Sequence, residues 1–160
     1  MKLNGYLINR LKEVFTEGKW IVGTNFKEQI FDLDWEYAIY KVEDFNTIAD
    51  LTFHIHYYIA GVSEVLKGGA LEIKDKFSFD APSIKSNEDW RNLVNRFCTD
   101  SENFISLVEN MTDEKLKDCF VDEKYGTYLR NIDAMIEHAY YHLGQIILIK
   151  KRIKNGNLYK

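Results

Sequence analysis

Several kinds of residue are scarce in this chain, and each scarcity removes a class of protein. Proline occurs once, at Pro82, and glycine nine times in 160 residues. That little punctuation does not suit a sandwich of many short strands and does suit long helices. Cysteine occurs twice, at Cys98 and Cys119, in neither a CxxC pattern nor a metal-ligand spacing. The expectation is two reduced, partly buried thiols in a cytoplasmic protein, a disulfide being the lesser alternative. No apolar run reaches the roughly 18 residues of a membrane span. The opening Met1-Lys2-Leu3-Asn4-Gly5 leads into a mixed polar and apolar segment unlike a signal peptide. The expected location is therefore cytoplasmic, without a membrane partner. Positive charge is not in excess either: 21 basic residues face 25 acidic ones, a formal net charge of −4. The one basic cluster, Lys150, Lys151, Arg152 and Lys154, falls where cations complement the end of a helix dipole. A broad cationic face for nucleic acid is not expected.

What is present is apolar periodicity. Apolar residues make up 46% of the chain, enough for one core in a single domain over residues 1–160. Leu7, Leu11, Val14 and Phe15 recur at helical spacing in a first helix from about Leu3 to Glu17. Residues 24–40 read as a short helix, a turn at Asp32-Leu33-Asp34, and a second short helical piece capped by Asp34. Asn46 or Thr47 can cap a helix running to about Leu66, with Ile48, Leu51, Ile55, Ile59, Val62 and Leu66 as its apolar stripe. Gly68-Gly69 stops it. A polar loop over about residues 70–85 carries Phe77 and Phe79, which can pin it down. Ser86 or Asn87 opens a third long helix with Trp90, Leu93, Val94, Phe97, Phe104, Ile105 and Val108 inward. A short turn at Thr112-Asp113-Glu114 and a loop or short extended piece over 120–128 precede a last helix from about Leu129 to Ile153. Four main helices with links this long describe an all-α fold, a four-helix bundle with crossover connections.

The four histidines fall in two of those helices: His54 and His56 in the second long one, His138 and His142 in the last. His138 and His142 are one turn apart, about 40° around the axis, so both can face one cation. Gln145 follows on the same stripe. The apolar stripe of this helix, with Met135, Ile136, Ala139, Leu143 and Ile146, runs just beside them. An HxxxH pair is a weak signal, because two imidazoles hydrogen-bonded at a helix surface look the same in sequence. Nor is this the HExxH of zinc proteases, since residue 139 is alanine. A third ligand would come from His54 or His56. These lie about 200° apart around their helix and cannot share a site; periodicity favours His54 only marginally.

The phrase Thr47-Ile48-Ala49-Asp50-Leu51-Thr52-Phe53-His54 resembles the S/T-I-x-x-L-x-x-H element of the DinB/YfiT-like superfamily of metalloenzymes. The phrase from His138 to Ile146 resembles that superfamily's H-x-x-x-H-x-G-Q element, and the 84-residue separation of His54 and His138 fits as well. Trp20 and the region of Ala38 resemble the family's N-terminal part more loosely. The resemblance implies a four-helix bundle in which His54, His138 and His142 bind one divalent metal. His56 is then a neighbour or supporting group. Gly144 would let another helix approach closely, and Gln145 either packs or hydrogen-bonds near the site. Asp50 and Glu137 stand one turn before His54 and directly before His138. Each is a candidate supporting partner or general base, beside the commoner reading of a solvated helix face. Tyr57, Tyr58, Tyr140 and Tyr141 form an aromatic group near the histidines.

Three neutral imidazoles leave a divalent ion its full charge and open positions. Zinc or nickel leads, with iron or manganese as further options. By the resemblance, the expected activity is thiol-dependent S-transfer or a related metal-dependent hydrolysis, with a small-molecule substrate that includes a low-molecular-weight thiol. Homodimerisation through helix faces accompanies this fold among similar proteins. The alternative is a stress-response protein that binds a metal or small ligand without turnover.

Overall fold

The computed structural model describes residues 2–156. These residues form seven α-helices: α1 (Leu3–Phe15), α2 (Phe26–Ile30), α3 (Trp35–Ala38), α4 (Ile48–Leu66), α5 (Asn87–Glu109), α6 (Asp113–Lys117) and α7 (Tyr128–Asn155). Single 3-10 turns occur at Asp75–Phe77 and Glu123–Tyr125. Among the described residues there is no strand, only one isolated bridge between Cys119 and Thr127. The fold is all-helical, and every long element was visible in the apolar spacing.

Helix starts follow their capping chemistry. The Thr47 hydroxyl accepts from Asp50 N, and Asp50 Oδ2 accepts in return from Thr47 N, which closes a capping box on α4. Ser86 caps α5, Thr127 caps α7 and Asp34 caps α3, each through a side-chain oxygen that accepts a backbone N–H of the first turn. Asp50 is thereby committed to the helix start and is not free to act as a base.

The four long helices enclose one core. Helix α1 packs against α5 and α7, and α4 packs against the same two. Inside lie Leu7, Leu11, Ile55, Ile59, Ile132 and Ile136, all essentially solvent-free. Phe15, Phe26 and Phe97 form a cluster of tilted and edge-on rings with centroids 5.1 to 6.0 Å apart. Buried Trp90 donates its indole N–H to the Leu33 carbonyl at 2.8 Å, which ties α5 to the turn before α3. Two stripe positions differ from expectation: Leu66 and Leu93 are only half-buried, and Val65 is the buried residue at the end of α4. Leu66 ends α4, one position past the buried Val65, and Leu93 faces the cleft beside Pro82 and Ile84.

Helices α4 and α5 run parallel. Thr47 and Asp50 share a cleft with Asn92 and Leu93, and His56, further along α4, bonds Asp100, further along α5. The strap of residues 67–86 must therefore return along the pair before α5 can start. It crosses α4 at Gly61, where a Cβ would stand 2.4 Å from Ile73 Cγ2. Glycine is required there for close approach. Helices α4 and α7 run antiparallel: Leu51 lies near Gln145 and Ile149, while His54 lies near His138.

Lys150 donates to the Gln29 carbonyl at 2.7 Å and Arg152 pairs with Glu43, so two of the clustered cations secure α7 to the chain before α4. Both cysteines are free thiols; Cys98 is half-buried, but Cys119 is exposed, not partly buried as expected. Among the described residues no helix is long and apolar enough to cross a membrane.

Candidate metal centre

One turn of α4 and two turns of α7 bring three imidazoles to a single point. His138 Nε2 stands 3.0 Å from His54 Nε2 and 2.9 Å from His142 Nε2. The potential ligand atoms of all three lie within 4.8 Å of one another. Two nitrogens each about 2.1 Å from one ion stand about 3.0 Å apart at a right angle and about 3.4 Å apart at the tetrahedral angle. The observed spacings of 2.9 and 3.0 Å correspond to the right-angle end of that range.

The outer nitrogens decide what the inner ones carry. The Ser78 carbonyl lies 3.2 Å from His54 Nδ1 and can only accept, so the proton of His54 is on Nδ1 and its Nε2 presents a lone pair. Gln145 Oε1 lies 2.6 Å from His142 Nδ1 and places the same tautomer there. Two lone pairs thus face His138 Nε2, which has at most one proton to offer. One of the two contacts then has no proton in it, and a cation at the convergence point satisfies all three nitrogens together.

The surroundings keep the imidazoles neutral. His54 and His142 are each 6% exposed, and His138 is half-buried, so the cluster meets solvent on the His138 side. Phe79 stacks on His54, with centroids 4.0 Å apart and planes 15° apart. Tyr58 sets its ring edge-on to both His54 and His138, and Tyr141 does so to His142. Burial, with the neighbouring imidazoles adding to it, pushes His54 and His138 down to about 4. Burial also lowers His142, offset in part by its bond to Gln145. Neutral imidazole is the form that ligates a metal.

The strap supplies the support that sequence reasoning missed. Ser78, 3% exposed, brings its carbonyl to His54, and the next residue covers the ring. Tyr58 OH donates to Asp75 Oδ1 at 3.0 Å and holds the 3-10 turn against α4. A backbone carbonyl leaves no mark in sequence. The one available signal was the aromatic pair Phe77 and Phe79, of which Phe79 closes on the site while Phe77 lies beside Lys76.

Other expected participants lie elsewhere. His56 faces away from the triad and bonds Asp100 Oδ2 at 2.7 Å, so it serves the α4–α5 seam and does not support the cluster. Glu137 pairs with Arg130 on an exposed helix face. Gly144 is exposed, and a Cβ there would meet nothing within 4 Å; no helix approaches it, contrary to the packing role expected. Of the four tyrosines only Tyr58 and Tyr141 touch the histidines. Tyr57 bonds the Lys74 backbone, and the Tyr140 hydroxyl is buried without a partner on the side facing Glu13 and Arg10. Burial raises the Tyr140 phenol to about 12.

No protein family, no curated protein and no solved structure matches the chain in comparison.

Proposed function

We propose that His54, His138 and His142 hold one divalent metal ion and that the protein is a metal-dependent enzyme. The supporting observation is the convergence of three Nε2 atoms at 2.9 and 3.0 Å, with the outer nitrogens of His54 and His142 fixed as donors by Ser78 and Gln145. Among the described residues no cysteine or carboxylate completes the cluster. Three protein ligands with no fourth correspond to a catalytic layout, whereas a structural site is closed by four. In this reading the four long helices are the crossover bundle of the DinB/YfiT-like superfamily, whose two sequence elements the chain resembles.

The proposed reaction is S-transfer to or from a low-molecular-weight thiol, or the related hydrolysis. A divalent ion supplies Lewis acidity that favours a thiolate or hydroxide and polarises a carbonyl. The protein's own residues hold the imidazoles in the ligating tautomer and exclude water behind them with Phe79 and Tyr58. Zinc and nickel suit three imidazoles best; iron and manganese follow.

A specific observation supports the other reading, a stress-response protein that binds a metal or ligand without turnover. Asp50 and Glu137, the acids nearest the triad in sequence, are occupied by a helix cap and an ion pair. Turnover assays separate the two. Protein loaded in turn with zinc, nickel, iron and manganese is offered a thiol with an electrophilic substrate panel, and an ester panel. Metal-dependent turnover lost in His138→Ala supports the enzyme. Tight metal binding with no turnover in any combination supports the binding protein.

A further inference from the structure

On the far side of α4 from the triad, the parallel pair α4–α5 and the strap leave a cleft of about 490 Å³. About half of its lining is apolar, including Ala49 and Phe53 from α4, Leu93 from α5, and Pro82 and Ile84 from the strap. Two carboxylates reach it and both are engaged. Asp50 caps α4, and Asp89 accepts from the Lys85 N–H and the Ser86 hydroxyl at the start of α5. At its edge His56 is tied to Asp100. Of the other polar residues in the lining, Asn92 and Arg96 are spaced i, i+4 on one face of α5. Among the described residues neither has a hydrogen bond or ion pair. The partners of Asp50 and Asp89 are neutral donors, so the two charges are offset only in part, by the helix N-termini at which these acids sit; Arg96 is the one cationic side chain of the lining.

We propose that this cleft is a second ligand site, which binds a small monocarboxylate carried on an aromatic or branched apolar group. Arg96 presents a planar fork of N–H donors that matches a carboxylate in two parallel bonds. Asn92, one turn earlier, adds an amide donor. Phe53, Leu93 and Ile84 receive the apolar part, in keeping with sites that are mostly apolar with a few placed polar groups. Arg96 can match one carboxylate; a dianion such as a phosphate monoester would add a further charge to a cleft that already holds Asp50 and Asp89. This site stands apart from the metal reading, since none of its lining residues belongs to the triad.

The test is titration of isotope-labelled protein with phenylacetate, followed by amide shifts, in zinc-supplemented and in chelator-treated samples. The expected result is saturable binding, equal in both samples, with shifts centred on Phe53, Ile84, Asn92 and Arg96. Arg96→Gln, at an exposed position, should weaken it about tenfold or more. Arg91→Gln, exposed and outside the cleft, should leave it unchanged. 2-Phenylethylamine should not bind. No saturable binding up to about 10 mM, equal binding of the amine, or insensitivity to Arg96→Gln overturns the proposal. Preference for phenyl phosphate overturns the monocarboxylate class. Binding that requires zinc and ignores Arg96→Gln places the carboxylate at the histidines; that outcome overturns this site while leaving the metal centre intact.

Discussion

Gln145→Leu probes the idea that the triad is prepared for metal by its outer hydrogen bonds. Gln145 Oε1 accepts from His142 Nδ1–H at 2.6 Å, and His142 is almost fully buried. Leucine keeps the volume and removes the acceptor. The metal-free protein can then escape by moving the His142 proton to Nε2. The metal-loaded protein cannot, because Nε2 must keep its lone pair; its Nδ1–H stays unpaired, at a cost of about 1–3 kcal/mol. Partners of ligating histidines are typically worth about 10- to 100-fold in affinity, or about 1.4–2.7 kcal/mol, the same range. The dissociation constant for zinc, measured by competition with a chromophoric chelator, should therefore rise about 10- to 100-fold. Gln145→Glu keeps an acceptor and should bind at least as well as the parent. A leucine variant within about twofold of the parent would refute the tautomer argument, because the change removes the acceptor that holds the proton on that nitrogen.

Further outcomes follow from the same geometry. Gly144→Ala should stabilise α7 by about 1 kcal/mol in a urea melt, since the position is exposed and a Cβ meets nothing; destabilisation would mean that something packs there after all. Tyr58→Phe removes the hydroxyl that holds Asp75 and should speed amide exchange over residues 75–79, with a loss of about 1 kcal/mol; unchanged exchange would show that the strap is held by packing alone. Free His54 and His138 take up protons only near about 4, against an ordinary 6.5, so protons compete with the metal only at low pH. Binding is favoured above the lowered value and lost as pH falls through it, and metal should survive dialysis at about pH 5.5 and leave near 4. Release already at about 6.5 would mean that the imidazoles titrate as exposed groups.

The parts of the fold that depend on local chemistry were legible. The Thr47 and Ser86 caps, the buried stripe of α7 and the short helices around Asp34 all follow from side-chain type and spacing. The site was partly legible. His138 and His142 share a face because any helix places i and i+4 together. The choice of His54 over His56 did not follow from periodicity, since both flank the apolar stripe at similar angles. The path of the strap settles it: it lays the Ser78 carbonyl and the Phe79 ring on His54, while α5 presents Asp100 to His56. Contacts made by a backbone carbonyl, or across forty residues, have no local signature. Gly144 misled for the opposite reason. A glycine in a helix suggests close approach, yet here it sits on the exposed face, and the close approach occurs at Gly61.

Whether the three histidines hold a metal is read from metal content by mass spectrometry on untagged protein beside His54→Ala, His142→Ala and His56→Ala, each after incubation with zinc, nickel and manganese. About one ion per chain is expected in the parent and in His56→Ala, with loss in the other two. No metal in any sample, or equal loss in His56→Ala, would contradict the metal reading and return the three histidines to the role of core residues.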